Sequence, residues 1–405
     1  MAKGDHLFDC YAPPPLEFTR GQGAYLYTDK GERYLDFIAG ISVMAFGHSH
    51  PKMVQTVQDQ SEKLWHLSNL FRIPGQHELA DKYCAALPWA DKVFFTNSGA
   101  EALECAMKTA RRYHYSQGNP DRIDIISFQG AFHGRTHAAI NATGNPNYLK
   151  GFGPALPGYV HLPFNDHKAL KAAISETTAA ILVEPVQGEG GLRPLPNSCL
   201  RGLRELCDEH GILLIYDEVQ CGAARTGKLF AYEWACDDNG LGAHPDIIAA
   251  AKGMGGGFPL GACIASEAAA SGMVPGTHGT TYGGNPLAMA VGNTAFDLMH
   301  EDGFLDNVTK VSNFLIQQFE ALKDEFPDVV DELRGKGLLC GMKLKKPAKD
   351  VKNLALTNGL LAGTAGDNVL RLAPPLIITE EHVREAIGIL RTTFEAARAM
   401  DDFTA

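Results

Sequence analysis

Six short apolar runs recur through the middle of the chain, nearly continuous rather than alternating: KVFFTN (92–97), IDIISF (123–128), AAILVEPV (179–186), ILLIYDEV (212–219), DIIAAAK (246–252) and GACIAS (261–266). A strand with one wet face alternates in polarity, whereas a strand buried on both faces does not. Helix-like stretches at 100–114, 166–175 and 197–210 lie between the runs. This alternation predicts an α/β fold, a mostly parallel central sheet flanked by helices. Ligands of such sheets gather at the carboxyl ends of the strands, so the residues just after each run are where chemistry is to be sought.

The rest of the chain has a different texture. Residues 304–326 fit an amphipathic helix, strand-like pieces follow, and a last helix is expected near 380–400. The reading is a large α/β domain over 61–285 and a smaller α+β domain over 286–405. An amino-terminal segment over 1–60, with a turn at Asp29–Gly31, is expected to pack on the small domain or on a partner subunit. The net charge of −11 argues against nucleic acid and against an anionic membrane surface as partners. No run reaches the roughly 18 apolar residues of a membrane span, and MAKGDHLFDCYAPPP has no apolar signal core, so a cytoplasmic protein is expected. Nine scattered cysteines with no C-x-x-C pair make a disulfide framework or a zinc site a poor reading, and no metal is expected.

Each strand end carries residues of chemical interest. After KVFFTN come Ser98 and Gly99, where a strand turns into a helix. Backbone N–H groups there suit an anion, although Ser98 could equally be a plain helix cap. After IDIISF, the loop QGAFHGRTHAA holds Phe132, able to cover a planar ring, and Arg135, able to bind a carboxylate in a fork. His133 reads as packed or hydrogen-bonded rather than as a base. Glu184 sits near the end of the next run and Glu189 in the glycine-rich loop after it, and pairing with nearby arginines is the favoured reading for both. Asp217 ends ILLIYD and needs a partner if buried. ILLIYDE also has the look of a nucleotide hydrolase strand, but G-x-x-x-x-G-K-[ST] is missing upstream.

Lys252 completes the set. A lysine carried to the end of an apolar strand has a depressed pKa and a nucleophilic amine. Pyridoxal phosphate needs a lysine, an acid for its ring nitrogen, an aromatic on its ring face and an anion site. Lys252, Asp217, Phe132 and Ser98–Gly99 supply one of each. Gly253 and Gly255–Gly257 are expected to clear room beside such a cofactor.

With these residues in view, the chain resembles the class III pyridoxal-phosphate aminotransferases of fold type I, and most of all their acetylornithine aminotransferase branch. The resemblance rests on FFTNSGAEA (94–102), GAFHGRT (130–136), EPVQGEGG (184–191), LLIYDEVQCG (213–222), PDIIAAAKGMGGGFPLGA (245–262), HGTTYGGNPLA (278–288) and LRLAPPL (370–376), with YLDFIAGISV and GHSHP before them. It implies the following roles. Lys252 holds the cofactor, Asp217 partners the ring nitrogen, and Gln220 neighbours the ring hydroxyl. Phe132 stacks on the ring, and Ser98, Gly99 and Ala100 form the phosphate loop. Glu218 and Val219 also count among the cofactor-binding residues. Thr281 reaches the phosphate across a homodimer interface, with Thr280 near the substrate. Arg135 binds the substrate α-carboxylate, and Glu189 is a gate that pairs with Arg371 in one half-reaction. The implied activity moves the distal amine of N-acetylornithine to 2-oxoglutarate. Succinylornithine, succinyl-diaminopimelate, ornithine or GABA are alternative donors of the same family. A non-catalytic binding module and a pyridoxal-dependent mutase or decarboxylase are the readings of other classes. Cys221, Ala223–Ala224, Met44 and Leu103 depart from the branch's usual residues, and Cys221 and Met44 are expected near the substrate.

Overall fold

The computed structural model describes residues 6–404, so the first five positions of the amino-terminal segment and Ala405 lie outside the described residues. Its centre is a seven-stranded sheet. In chain order the strands are β1 (Lys92–Thr96), β2 (Asp124–Phe128), β3 (Tyr159–Leu162), β4 (Thr178–Val183), β5 (Leu213–Asp217), β6 (Ile247–Ala250) and β7 (Gly261–Ala265). They lie in the order β1-β7-β6-β5-β4-β2-β3. Only β7 runs antiparallel to its neighbours. All six apolar runs are strands of this sheet, and β4, β5, β6 and β7 are buried at every position. The edge strand β3, four half-buried residues that include His161, has no comparable run in the sequence.

The helix Gly99–Ser116 shows why the strand ends matter. Ser98, extended, caps it by accepting the Glu101 N–H at 3.2 Å. Its buried face, with Leu103, Cys105, Ala106 and Ala110, packs on the sheet as an apolar stripe of helical period. Its first turn is thereby pinned at the carboxyl end of β1. The helix Asn197–His210 covers the opposite face through Leu200, Leu203 and Cys207, which share one core with Ile181, Leu214 and Tyr216.

Two four-stranded sheets flank this core. Phe18–Gln22, Tyr25–Thr28 and Arg33–Asp36 form an antiparallel meander, and Leu360–Leu361 adds in parallel to Arg33–Asp36. Val330–Lys336, Leu339–Leu344, Val369–Leu372 and Gly363–Ala365 form an antiparallel sheet in that spatial order. Helices Phe304–Glu325 and Glu380–Ala397 match the two predicted for the tail. Among the described residues no helix is long and apolar enough to cross a membrane.

Candidate active site

The carboxyl ends of the parallel strands open onto a cavity of about 450 Å³. Ser98, Gly99, Ala100, Phe132, Arg135, Glu184, Glu189, Asp217, Val219, Gln220 and Lys252 all line it. In the sheet register Asp217 pairs with Ala249, so the chain leaving β6 carries Lys252 to the mouth of the neighbouring strand. Lys252 has a left-handed backbone with φ 51°, which for a residue with a Cβ costs roughly 1–2 kcal/mol. The turn aims the amine at the cavity instead of letting it follow the strand direction.

Lys252 forms no ion pair among the described residues. Its amine is pushed down to about 8, first by loss of solvent and next by the Arg371 guanidinium, against the opposing pull of Glu189, Asp217 and Glu184. The sign of the linkage is definite. Between about 8 and the ordinary 10.5 the native chain binds fewer protons at Lys252 than the unfolded chain, so this group's contribution to stability rises with pH there. Below 8 the full penalty is present, on the order of 3 kcal/mol. Lys252→Met is therefore expected to stabilise the cofactor-free protein at pH 7 by an amount of that order, and by less as pH climbs from 8 toward 10.5. Urea unfolding at fixed protein concentration checks this, and a difference independent of pH would contradict it.

Asp217 is held at both oxygens. The Val219 N–H donates to Oδ1 at 3.0 Å, and His133 Nδ1 meets Oδ2 at 2.7 Å. His133 is itself fixed by its N–H donating to Thr143 Oγ1 at 2.9 Å. The histidine is thus a hydrogen-bonded support, as expected, and its partner is the acid that matters most.

Glu184 departs from expectation. It forms no ion pair with an arginine among the described residues. The backbone N–H groups of Phe132 and Gly188, each at 3.3 Å, donate to its two oxygens. Burial and then the charge of Asp217 raise its pKa well above the carboxylate range. The two amide donors favour the anion, but burial and the like charge outweigh them, and a carboxyl that keeps its proton needs no cation. Glu189 does pair, with Arg371 Nη1.

Other positions also need correction. Glu218 does not line the cavity. Neighbouring side chains at a strand end point to opposite faces, and its carboxylate accepts the N–H groups of Ala231 and Tyr232 at 3.0 and 2.9 Å. Burial raises it to about 7. Cys221 lies behind the acid rather than near a substrate, its thiol donating to Glu218 Oε2 at 3.1 Å. Leu103 lines the cavity, whereas Met44 stands behind Gly257. The glycines after Lys252 mostly avoid protein atoms, not a ligand. A Cβ at Gly256 would meet the Phe46 ring at 2.7 Å and one at Gly257 would meet Met44 Sδ at 2.8 Å. Thr280 and Thr281, which the resemblance assigns to the neighbouring subunit's site, need no correction: Thr281 is exposed and Thr280 half-buried.

Asn97, Val43 and Tyr148 escaped the sequence reading. Asn97 lines the cavity and donates to Glu101 Oε2 from both its N–H and its Nδ2. The Arg135 guanidinium lies 3.9 Å from the centre of the Tyr148 ring, with no carboxylate partner among the described residues. Tyr148 meets Phe132 edge to face at 6.1 Å. An aromatic thirteen residues beyond Arg135 gives no motif to find it by.

These residues fit pyridoxal phosphate. Gly99 stands where a Cβ would strike Val219 Cγ1 at 2.7 Å, so the helix N-terminus and the strand end beside Asp217 close on each other only with glycine there. The Gln220 Oε1 is buried on the cavity wall without a hydrogen-bond partner among the described residues. An amine, a held carboxylate, an aromatic face and free helix N–H groups surround one space.

The sequence profile of the class-III aminotransferases matches residues 10–394. The chain belongs to that family. This class III aminotransferase is 58% identical over 395 residues to acetylornithine aminotransferase 2 of Caulobacter vibrioides, covering 97% of this chain and 96% of that one. It is 55% identical to the acetylornithine aminotransferase of Mesorhizobium japonicum, covering 96% of each chain. Among solved structures, an ornithine aminotransferase from Toxoplasma gondii superimposes with TM-score 0.90 at 32% identity, over 97% of this chain and 92% of that one. The fold is that of fold type I, the cofactor is pyridoxal phosphate, and the enzyme is a transaminase.

Proposed function

We propose that the enzyme moves the distal amino group of N2-acetyl-L-ornithine to 2-oxoglutarate, giving N-acetyl-L-glutamate 5-semialdehyde and L-glutamate, a step of arginine biosynthesis. The observation that carries this reading is that Glu189, on the cavity wall, pairs with Arg371 while Arg135 has no carboxylate partner among the described residues. The reacting carbon of acetylornithine bears only hydrogen, whereas that of glutamate bears a carboxylate. One site can serve both if the cation near the reacting carbon can be masked. Arg371 is close enough to Lys252 to lower its pKa, which suits that cation, and Glu189 is the mask. Arg135 takes the carboxylate at the far end of either substrate. The names of the full-length relatives support the acetylated donor.

When bound, pyridoxal phosphate supplies an electron sink for the carbon that carries the amine. Asp217, oriented by His133 and Val219, would partner the ring nitrogen. The Lys252 Nζ takes the proton from the reacting carbon and returns it, a task suited to a group titrating near 8. The N–H groups of Gly99 and Ala100 would hold the phosphate, and Phe132 would cover the ring. The proposal extends to a cytoplasmic homodimer in which Thr280 and Thr281 complete the neighbour's site, and to a division into a large domain over 61–285 and a small one over 286–405.

Purified enzyme given N-acetylornithine and 2-oxoglutarate should form one glutamate per donor consumed, faster than with succinylornithine, ornithine or GABA. Preference for any of those three would replace the donor named here, and carbon dioxide release or isomerisation without glutamate would replace the reaction class. Glu189→Ala is expected to shift the ratio of the two substrates' kcat/KM by about tenfold, roughly 1.4 kcal/mol, with cofactor affinity unchanged. Equal losses for both substrates would contradict the masking role.

A further inference from the structure

The gate lies on a loop whose backbone is tied to the sheet that carries Arg371. The Gly366 N–H donates to the Glu189 carbonyl at 2.8 Å, and Arg334 Nη1 donates to the Gly191 carbonyl at 3.4 Å. Arg334 is in turn held by Asp367 at 2.7 Å and Glu332 at 2.9 Å, and Lys343 meets Asp367 at 3.2 Å. The approach is close enough to require glycine on both sides. A Cβ at Gly191 would lie 2.8 Å from the Gly366 carbonyl oxygen, and one at Gly366 would lie 2.8 Å from that of Glu189. Asp367 and Asn368 both adopt left-handed backbone at the hairpin tip, with φ 56° and 57°. The Asn368 amide fixes that tip by donating to the Leu344 and Lys346 carbonyls at 2.7 and 2.8 Å. The same hairpin continues into Val369–Leu372 and so to Arg371.

We propose that Arg334 and Asp367 form a clamp that locks the backbone of the gate loop to the hairpin bearing Arg371, so that substrate selection is a rotation of the Glu189 side chain alone. Both are positioning residues, and neither lines the cavity. The inference deepens the masking reading above and rests on it. With the backbone fixed, Glu189 loses little freedom in pairing with Arg371, and the mask is stable. With the clamp cut, the loop and hairpin separate more easily, pairing orders more atoms, and Arg371 is unmasked more often. A dicarboxylate then binds better and the acylated amine binds worse. A coupling of this kind is worth about fivefold at its lower end.

The test uses the holoenzyme and glutarate, a dicarboxylate that cannot react. Arg334→Gln is expected to lower the glutarate Kd about fivefold, with cofactor loading unchanged. Asp367→Asn, at a half-exposed position, gives a smaller fall and serves if the arginine variant does not fold. Arg334→Lys, which keeps the charge, is expected to restore most of the wild-type Kd. In a Glu189→Ala background, the Arg334→Gln change should leave the Kd where it was, because no mask remains to be loosened. A Kd unmoved by Arg334→Gln and Asp367→Asn, or an effect that persists without Glu189, overturns the clamp. Because glutarate is not the donor, failure to use acetylornithine would overturn the proposed function and leave this result to stand or fall separately.

Discussion

Lys252→Ala is expected to lower turnover by about ten-thousandfold or more, roughly 5 kcal/mol of transition-state stabilisation. Among the described residues Lys252 is the one lysine lining the cavity, so under the proposed mechanism its loss would remove both the covalent anchor of the cofactor and the base for the reacting carbon. The fold should survive, since the substitution removes a costly desolvated amine and keeps the backbone within reach of its left-handed turn. Partial recovery on adding a small primary amine would separate the two roles, because a free amine can replace the proton carrier but not the tether. Activity within tenfold of the parent enzyme would show that another group carries the proton.

Asp217→Asn is expected to cost about a thousandfold in kcat, on the order of 4 kcal/mol, with the cavity shape preserved. Asparagine keeps an oxygen for the Val219 N–H but brings no negative charge to the ring nitrogen or to His133. The cofactor should still bind, because the helix N-terminus at Gly99 and the lysine are untouched, so the loss should fall on kcat rather than on cofactor affinity. A loss of tenfold or less would mean that Glu184, another carboxyl of the cavity, supplies the charge once the like charge of Asp217 is gone.

The sheet was legible because burial on both faces leaves no polar alternation, and all six apolar runs became strands. Strand β3 was not, since an edge strand of four half-buried residues has too little apolar character to stand out from a loop. The helix Pro286–Met299 was absorbed into a motif, although Asn285 as cap and Pro286 in the first turn announce it. Within the site, residues that follow buried strands could be read from position alone, which is why Asp217 and Lys252 were found. Glu184 was misjudged because its partners are backbone amides, which leave no trace in side-chain sequence. Glu218 was carried along with its neighbour, although the alternation of side chains sends it to the other face. The left-handed turn at Lys252 and the run of positive φ from Ala39 to Ser42 had no signal beyond nearby glycine. Non-glycine residues hold such conformations only where the surrounding packing forces them.

The most direct test of the account is a single half-reaction, with holoenzyme, N-acetylornithine and no keto acid, followed in the cofactor's visible spectrum. The account predicts a rapid change with acetylornithine, a slower one with ornithine or GABA, and none with the Lys252→Ala enzyme. A visible band unmoved by acetylornithine but shifted promptly by one of the other amines would contradict it.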